Sequence, residues 1–384
     1  MTNTVKYWVW FSLALGTGNA KQKRVYELYD SIKDFYDGGI YEWRVCGIFN
    51  EKEIDALEKT SLSDAVSVID KCNRLGHNIV CFDDEEYPQK LKDIYNPPCV
   101  LYVWGKLPSF EHKLSIAMVG TRNATQYGVM TSHVLSASLS KLGAIIVSGG
   151  AMGIDSASHI GTLEAGGLTV CVLGCGIDYR YLMSNAALRK NIASTCAVIS
   201  EFPPGTKSLP YNFPLRNRII SGLSDGVIVV EADEKSGSLI TVNHALEQGR
   251  EVFAVMGNIN SRYSTGTNKM IKDGATPVTS YMDVVEAFPH YNIVSDNSVC
   301  DTEGPELSSR NNSELNKEPV LHKDDLDISD SAQTVYRCIG NEPIHIDKII
   351  VQTGLPVSKV LQSLTELELL SLISCQQGRL YKLA

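Results

Sequence analysis

Five short stretches carry residue types suited to holding phosphate. In VGTRNATQYG (119–128), an apolar run ends at Val119, Gly120 permits a tight turn, and Arg122 stands where a helix is about to begin. An arginine there gives a charge-assisted, bidentate contact to an anion, or pairs with an internal carboxylate and stiffens the loop. In SGGAMGIDSASHIG (148–161), Gly149, Gly150 and Gly153 permit close backbone approach to a phosphate. Their spacing is GGxxG rather than the GxGxxG of dinucleotide sites, and no acid is placed to hold a ribose. Asp155 suits a helix cap, and His159, one turn on, suits the interior as well as a ligand.

The third stretch, residues 201–232, opens with a proline-rich loop and supplies Lys207, Arg216 and Arg218 beside Tyr211 and Phe213. Cations interleaved with aromatic rings suit a single-stranded nucleic acid, whose bases are exposed for stacking. In KSGSLITVNHALEQG (235–249), Lys235, Ser236, Gly237 and Ser238 precede a helix whose first amides face an anion. The GKS/T ending of a nucleotide-hydrolysing loop is missing, which argues against magnesium-dependent ATP hydrolysis. A fifth loop brings Asn268 and Lys269 to the start of another helix. No nucleophile–base pair, metal cluster or hydride-transfer set accompanies these loops, so no cofactor is expected and binding is favoured over chemistry.

Apolar strands must position the loops. SIAMVG, AIIVSGG, LTVCVLG, CAVISEF, DGVIVVEA and REVFAVMG recur between helical segments across 113–288. Continuous apolar strands alternating with helices predict a doubly wound, Rossmann-like parallel sheet covered on both faces. Residues 1–75 read as a helical domain whose Gly16–Gly18 turn suggests a helix-hairpin-helix or SAM-like arrangement. Residues 76–112 read as a bridge with two short strands. The polar, aperiodic stretch 289–328 is expected to be a linker, and 329–384 to be a winged helix of three helices and a hairpin.

The 384 residues carry a net charge of −9, but 289–330 holds ten acids against three bases, a net −7. The remainder is nearly balanced, leaving room for local phosphate-facing patches. Bases outnumber acids only five to four in 331–384. The third helix there sets Lys359 against Glu366 and Glu368, which favours protein contact over duplex reading. Ten cysteines are scattered without a CxxC pair, as expected of reduced thiols packed in a core. The apolar start MTNTVKYWVWFSLALG is too short to span a bilayer and lacks a cleavage pattern, so a cytoplasmic protein without membrane contact is expected.

Together VGTRNATQYG, SGGAMGIDSASH, VLGCGIDYRYLMSN, SEFPPGT, FPLRNRIISGLSDGVIVVEA, SGSLITVNHALEQGREVFAVMG and GTNKMIKDGA resemble the core of the DNA-processing protein A (DprA/Smf) family. The resemblance implies an extended Rossmann-like domain that binds single-stranded DNA in a basic pocket. It further implies a homodimer that loads the RecA recombinase during natural transformation, helping it displace single-strand-binding protein. By motif, Arg122, Gly149, Gly153, Asp155, Arg216, Arg218, Lys235, Ser236, Gly237, Ser238 and Lys269 become pocket candidates, and the residue reading adds Gly150, Lys207 and Asn268. Met152 stands where many relatives carry arginine, and Met256 where they often carry proline.

Two other readings stay open. A nucleoside-monophosphate phosphoribohydrolase has a similar sheet but follows a PGGxGTxxE pattern, and EKSGSLITVNHALEQG lacks its glutamate. A protein-interaction module with incidental nucleic-acid affinity would depend on the winged helix rather than on the core loops.

Overall fold

The computed structural model describes residues 4–291, 330–340, 344–369, 373–376 and 380–383. They fall into two compact units, Met1–Cys300 and Asp301–Ala384. Most of the segment read as a linker, from residue 292 onward, lies outside the described residues.

The first unit is built on a nine-stranded sheet: β1 (Asn78–Cys81), β2 (Val100–Gly105), β3 (Ser115–Val119), β4 (Ile145–Ser148), β5 (Leu168–Leu173), β6 (Ala197–Ser200), β7 (Gly226–Val229), β8 (Glu251–Val255) and β9 (Thr276–Val278). Its order is β1-β2-β6-β5-β4-β3-β7-β8-β9. The seven strands from β6 to β9 run parallel. β1 and β2 extend the sheet antiparallel past β6, so both bridge strands enter the large sheet. β9, a three-residue strand through Pro277, carries too little apolar pattern to stand out in the sequence. From β3 the chain winds outward to β6, then returns to β7 on the other side of β3. The β3/β7 boundary is therefore the topological switch point of a Rossmann-like sheet.

Alternation along the strands explains the two buried faces. Ile116, Met118, Ile146, Ile228 and Phe253 enter one apolar cluster, while Ala117, Val119, Ile145, Val147, Val227 and Val229 enter the other. That second cluster continues without a break into Trp8, Trp10, Phe11 and Phe35 of the N-terminal helices. Local caps set the helix boundaries that periodicity blurs. The stretch 21–39 is two helices, Lys21–Leu28 and Ile32–Val45, because the Ser31 hydroxyl accepts the Asp34 N–H. A capping box at Ser61 likewise separates Glu51–Lys59 from Leu62–Leu75.

The Gly16–Gly18 turn commits its Gly18 amide to the interior. The Gly18 N–H donates to the Glu201 carboxylate at 3.0 Å, and the same oxygen accepts from Arg218 at 2.7 Å. Arg218 is 1% exposed. Its place is therefore in this buried ion pair behind β6, and not in a DNA pocket as the motif suggested.

In the second unit, helices Asp330–Arg337, Ile346–Thr353 and Val357–Leu369 pack around Val335, Ile349, Val360 and Leu364. The hairpin strands Ile373–Gln376 and Leu380–Leu383 gain a third partner, Ile344–His345, completing a winged helix.

Removing one member of a buried ion pair leaves the other charge uncompensated in the interior. Arg218→Ala is expected to lower unfolding free energy by about 3–5 kcal/mol, measured by urea denaturation.

Candidate nucleic-acid interface

Where β3 and β7 part, their carboxyl ends open into a cavity of about 560 Å³. The loop after β3 brings Thr121, Arg122 and Asn123; the loop after β7 brings Asp233, Lys235, Ser236, Gly237 and Ser238; helix Asn212–Gly222 closes the side with Phe213, Pro214, Arg216 and Asn217. Asp155 reaches it from below. The structure thus gathers four of the five anticipated stretches, through Arg122, Asp155, Arg216 and Lys235, at one sheet edge, with the start of the helix that follows the SGS loop in its wall.

Glu231, at the end of β7, fixes the arginine loop. It is 2% exposed, and it accepts hydrogen bonds from the Thr125 N–H at 2.9 Å and the Thr125 hydroxyl at 2.5 Å. Its carbonyl accepts the Thr121 N–H at 2.8 Å. Thr125 in turn caps helix Gln126–Lys141 through the Gly128 N–H. Arg122 is held between these two anchors, exposed, with its guanidinium 5.3 Å from the Phe213 ring. Glu231 and Thr125 were not among the sequence candidates; the only signal was a carboxylate just past a strand end.

Arg216 differs from Arg122 in being buried. It donates to the Gly149 carbonyl at 2.7 Å and to the Val172 carbonyl, so it ties the ends of β4 and β5 to helix Asn212–Gly222. Its guanidinium lies 5.8 Å from the centroid of the same Phe213 ring. A Cβ on Gly149 would come within 2.6 Å of that guanidinium, which is why glycine stands there. Burial lowers the Arg216 pKa and Asp155 opposes the shift, yet an arginine keeps its charge under such conditions.

Asp155 accepts the Ala151 N–H at 3.2 Å and so holds the GGAMG loop, while Gly153 caps the helix Ile154–Glu164. Burial pushes its carboxyl above the usual range, with Arg216 and the Ala151 amide drawing it back. Gly150 and Gly153 have φ of 66° and 77°. A side chain at Gly153 would strike the Thr121 carbonyl at 2.5 Å. These glycines shape the floor of the cavity rather than line it.

On the far wall, the Lys235 N–H donates to Asp233 at 2.9 Å and the Ser236 and Ser238 hydroxyls are 2.8 Å apart. Asp233 also lies 3.6 Å from Arg262. The Lys235 side chain is exposed at the cavity mouth.

Besides Arg218, three anticipated residues fall outside. The Asn268 side chain both donates to the Gly257 carbonyl at 3.1 Å and accepts its N–H at 3.2 Å, which commits it to closing its own loop. Lys207 and Lys269 are exposed but do not line the cavity, and neither does Met152, 50% exposed at the position of the family arginine. Cys171 is packed beneath Gly150, its thiol pushed up to about 12 by burial. Among the described residues no three His, Cys, Asp or Glu side chains group as a metal site.

The comparisons with known proteins bear on this geometry. The family of DNA recombination-mediator protein A matches residues 78–289, which span β1 to the end of the sheet and contain every wall of the cavity. The chain belongs to this family. A DprA winged helix domain matches residues 321–379. The DNA processing protein DprA of Bacillus subtilis is 44% identical over 218 residues, covering 57% of this chain and 73% of that protein. The X-ray structure of DNA processing protein A from Streptococcus pneumoniae superposes with a TM-score of 0.64 at 32% identity, over 74% of this chain and 98% of that one. A structure of the Helicobacter pylori protein, solved for its single-stranded DNA binding mode, gives 0.51 at 28% identity, over 56% of this chain and 96% of that one. No described helix is long and apolar enough to cross a membrane.

His159, one turn past Asp155, is fully buried against the Thr169 hydroxyl at 2.7 Å, and burial lowers its pKa from 6.5 to about 3. The folded state keeps it neutral while the unfolded chain binds a proton below pH 6.5. Its contribution to stability therefore falls as pH drops from 6.5 toward 3, by roughly 1.4 kcal/mol per pH unit. Chemical denaturation across that window is expected to show a smaller pH slope for His159→Gln than for the parent.

Proposed function

We propose that this recombination mediator binds single-stranded DNA in the switch-point cavity and passes it to a recombinase. The observation that carries the reading is the convergence of Arg122, Arg216, Lys235 and the Ser236–Ser238 helix start around the Phe213 ring. Cations and hydroxyls take phosphates, and an aromatic face takes a base, which together recognise a flexible strand without reading its sequence. The lining contains no histidine or cysteine, and its carboxylates Asp155 and Asp233 are engaged by backbone amides. The donor set is one for holding and not for hydrolysis.

Family resemblance adds the finer reading: a cytoplasmic homodimer that protects incoming DNA, loads RecA and so displaces single-strand-binding protein during natural transformation. An enzyme acting on nucleoside monophosphates would use the same anion set but needs a general base at the SGS loop, where Asp233, the carboxylate lining the cavity beside it, accepts the Lys235 amide.

The test is fluorescence anisotropy with a ~30-nucleotide single strand and a duplex competitor of equal length. The intact protein is expected to prefer the single strand, with affinity falling steeply as salt rises. Arg122→Ala is expected to weaken binding about tenfold or more and to reduce the salt slope by about 0.7, one phosphate's worth. A folded protein that binds neither strand at low salt sinks the reading and directs attention to nucleotides and protein partners.

A further inference from the structure

A second concavity, of about 430 Å³, lies between the N-terminal helix Lys21–Leu28 and the bridge residues Asp93–Tyr95. We propose that this groove receives the same single strand where it leaves the switch-point cavity, with Lys23 and Arg24 taking phosphate and Tyr95 stacking on a base. The proposal rests on the reading that the cavity binds single-stranded DNA.

Three observations carry it. The first is continuity. Pro214 lines the cavity and its neighbour Leu215 meets the turn at Gly18, where an added Cβ would lie 3.1 Å from the leucine side chain; Asn19, next in the turn, lines the groove. The two concavities thus meet on either side of the start of helix Asn212–Gly222.

The second is charge. Lys21 is paired with Glu53, whereas Lys23 and Arg24 have no ion-pair partner among the described residues. Glu27 and Asp93 also line the groove. Those carboxylates disfavour phosphate at their side of the groove and suit the exocyclic amines of bases, which are hydrogen-bond donors.

The third is the tyrosine. Tyr95 is 87% exposed although the adjacent Ile94 is 2% exposed. Ile94 packs against Gly222, the Asn96 side chain donates to the Gly18 carbonyl, and the Gln22 side chain donates to the Pro97 carbonyl. The segment is pinned on both sides of the ring, so Tyr95 is presented to solvent by a fixed backbone. A base stacking there orders one side chain only, and such stacking is sequence-tolerant.

Binding of ~6- and ~30-nucleotide single strands to the full chain separates the two sites, because the short strand fills little more than the cavity. For Lys23→Ala/Arg24→Ala, the expected result is an unchanged affinity for the short strand, an approximately tenfold loss for the long one, and a long-strand salt slope reduced by about 1.4, two phosphates' worth. Tyr95→Ala is expected to weaken the long strand alone without changing the slope. Long-strand binding equal to the parent's in both variants overturns the groove while leaving the cavity reading intact, and so does an equal loss for both lengths. Arg122→Ala weakening both lengths identifies that case. A parent that binds neither length removes the cavity reading and the groove with it.

Discussion

The candidate site depends on a charge placed where few charges are tolerated. Arg216 sits almost wholly inside the protein, bonded to the carbonyls at the ends of β4 and β5. An unpaired buried cation is costly, and main-chain carbonyls together with nearby Asp155 make it bearable. The result is a positive group that cannot swing away. Arg122, by contrast, is exposed on its loop. One buried and one exposed guanidinium thus lie near the same phenyl ring.

Glu231 performs a matching service on the other side of the switch point. Its carboxylate takes the amide and hydroxyl of Thr125, and its carbonyl takes the Thr121 amide. A negative group beneath a phosphate-facing loop is tolerable because its oxygens are turned toward a helix start, where the dipole favours an acid. The loop is thereby fixed without any of its exposed polar groups being used.

Much of this was legible in the sequence, and the exceptions have specific causes. The strands were visible because a sheet buried on both faces leaves unbroken apolar runs. The glycines of 149–153 were visible because only a missing side chain allows such close approach. Arg216 and Arg218, two positions apart, could not be told apart. On a helix, two steps turn a side chain through about 200°, so one arginine faces the cavity and the other the interior pair with Glu201. The role of Asn268 was hidden in a loop closure eleven residues back, at Gly257, and Glu231 acts on a partner 106 residues away. Contacts of that range leave no local pattern.

The cavity is made of two materials. Its floor is main chain: at Gly120, Gly149 and Gly153 the nearest atoms to an added Cβ lie at 2.5–2.6 Å, two of the three being a neighbouring carbonyl oxygen or the fixed Arg216. Its opposite wall is side chain, drawn from helix Asn212–Gly222 and the loop 233–238. The floor therefore has almost no mutational latitude, whereas Phe213, Pro214 and Asn217 stand on a helix beside the sheet rather than on its strands. A site so divided can vary the chemistry of its wall while the shape of its floor is inherited unchanged.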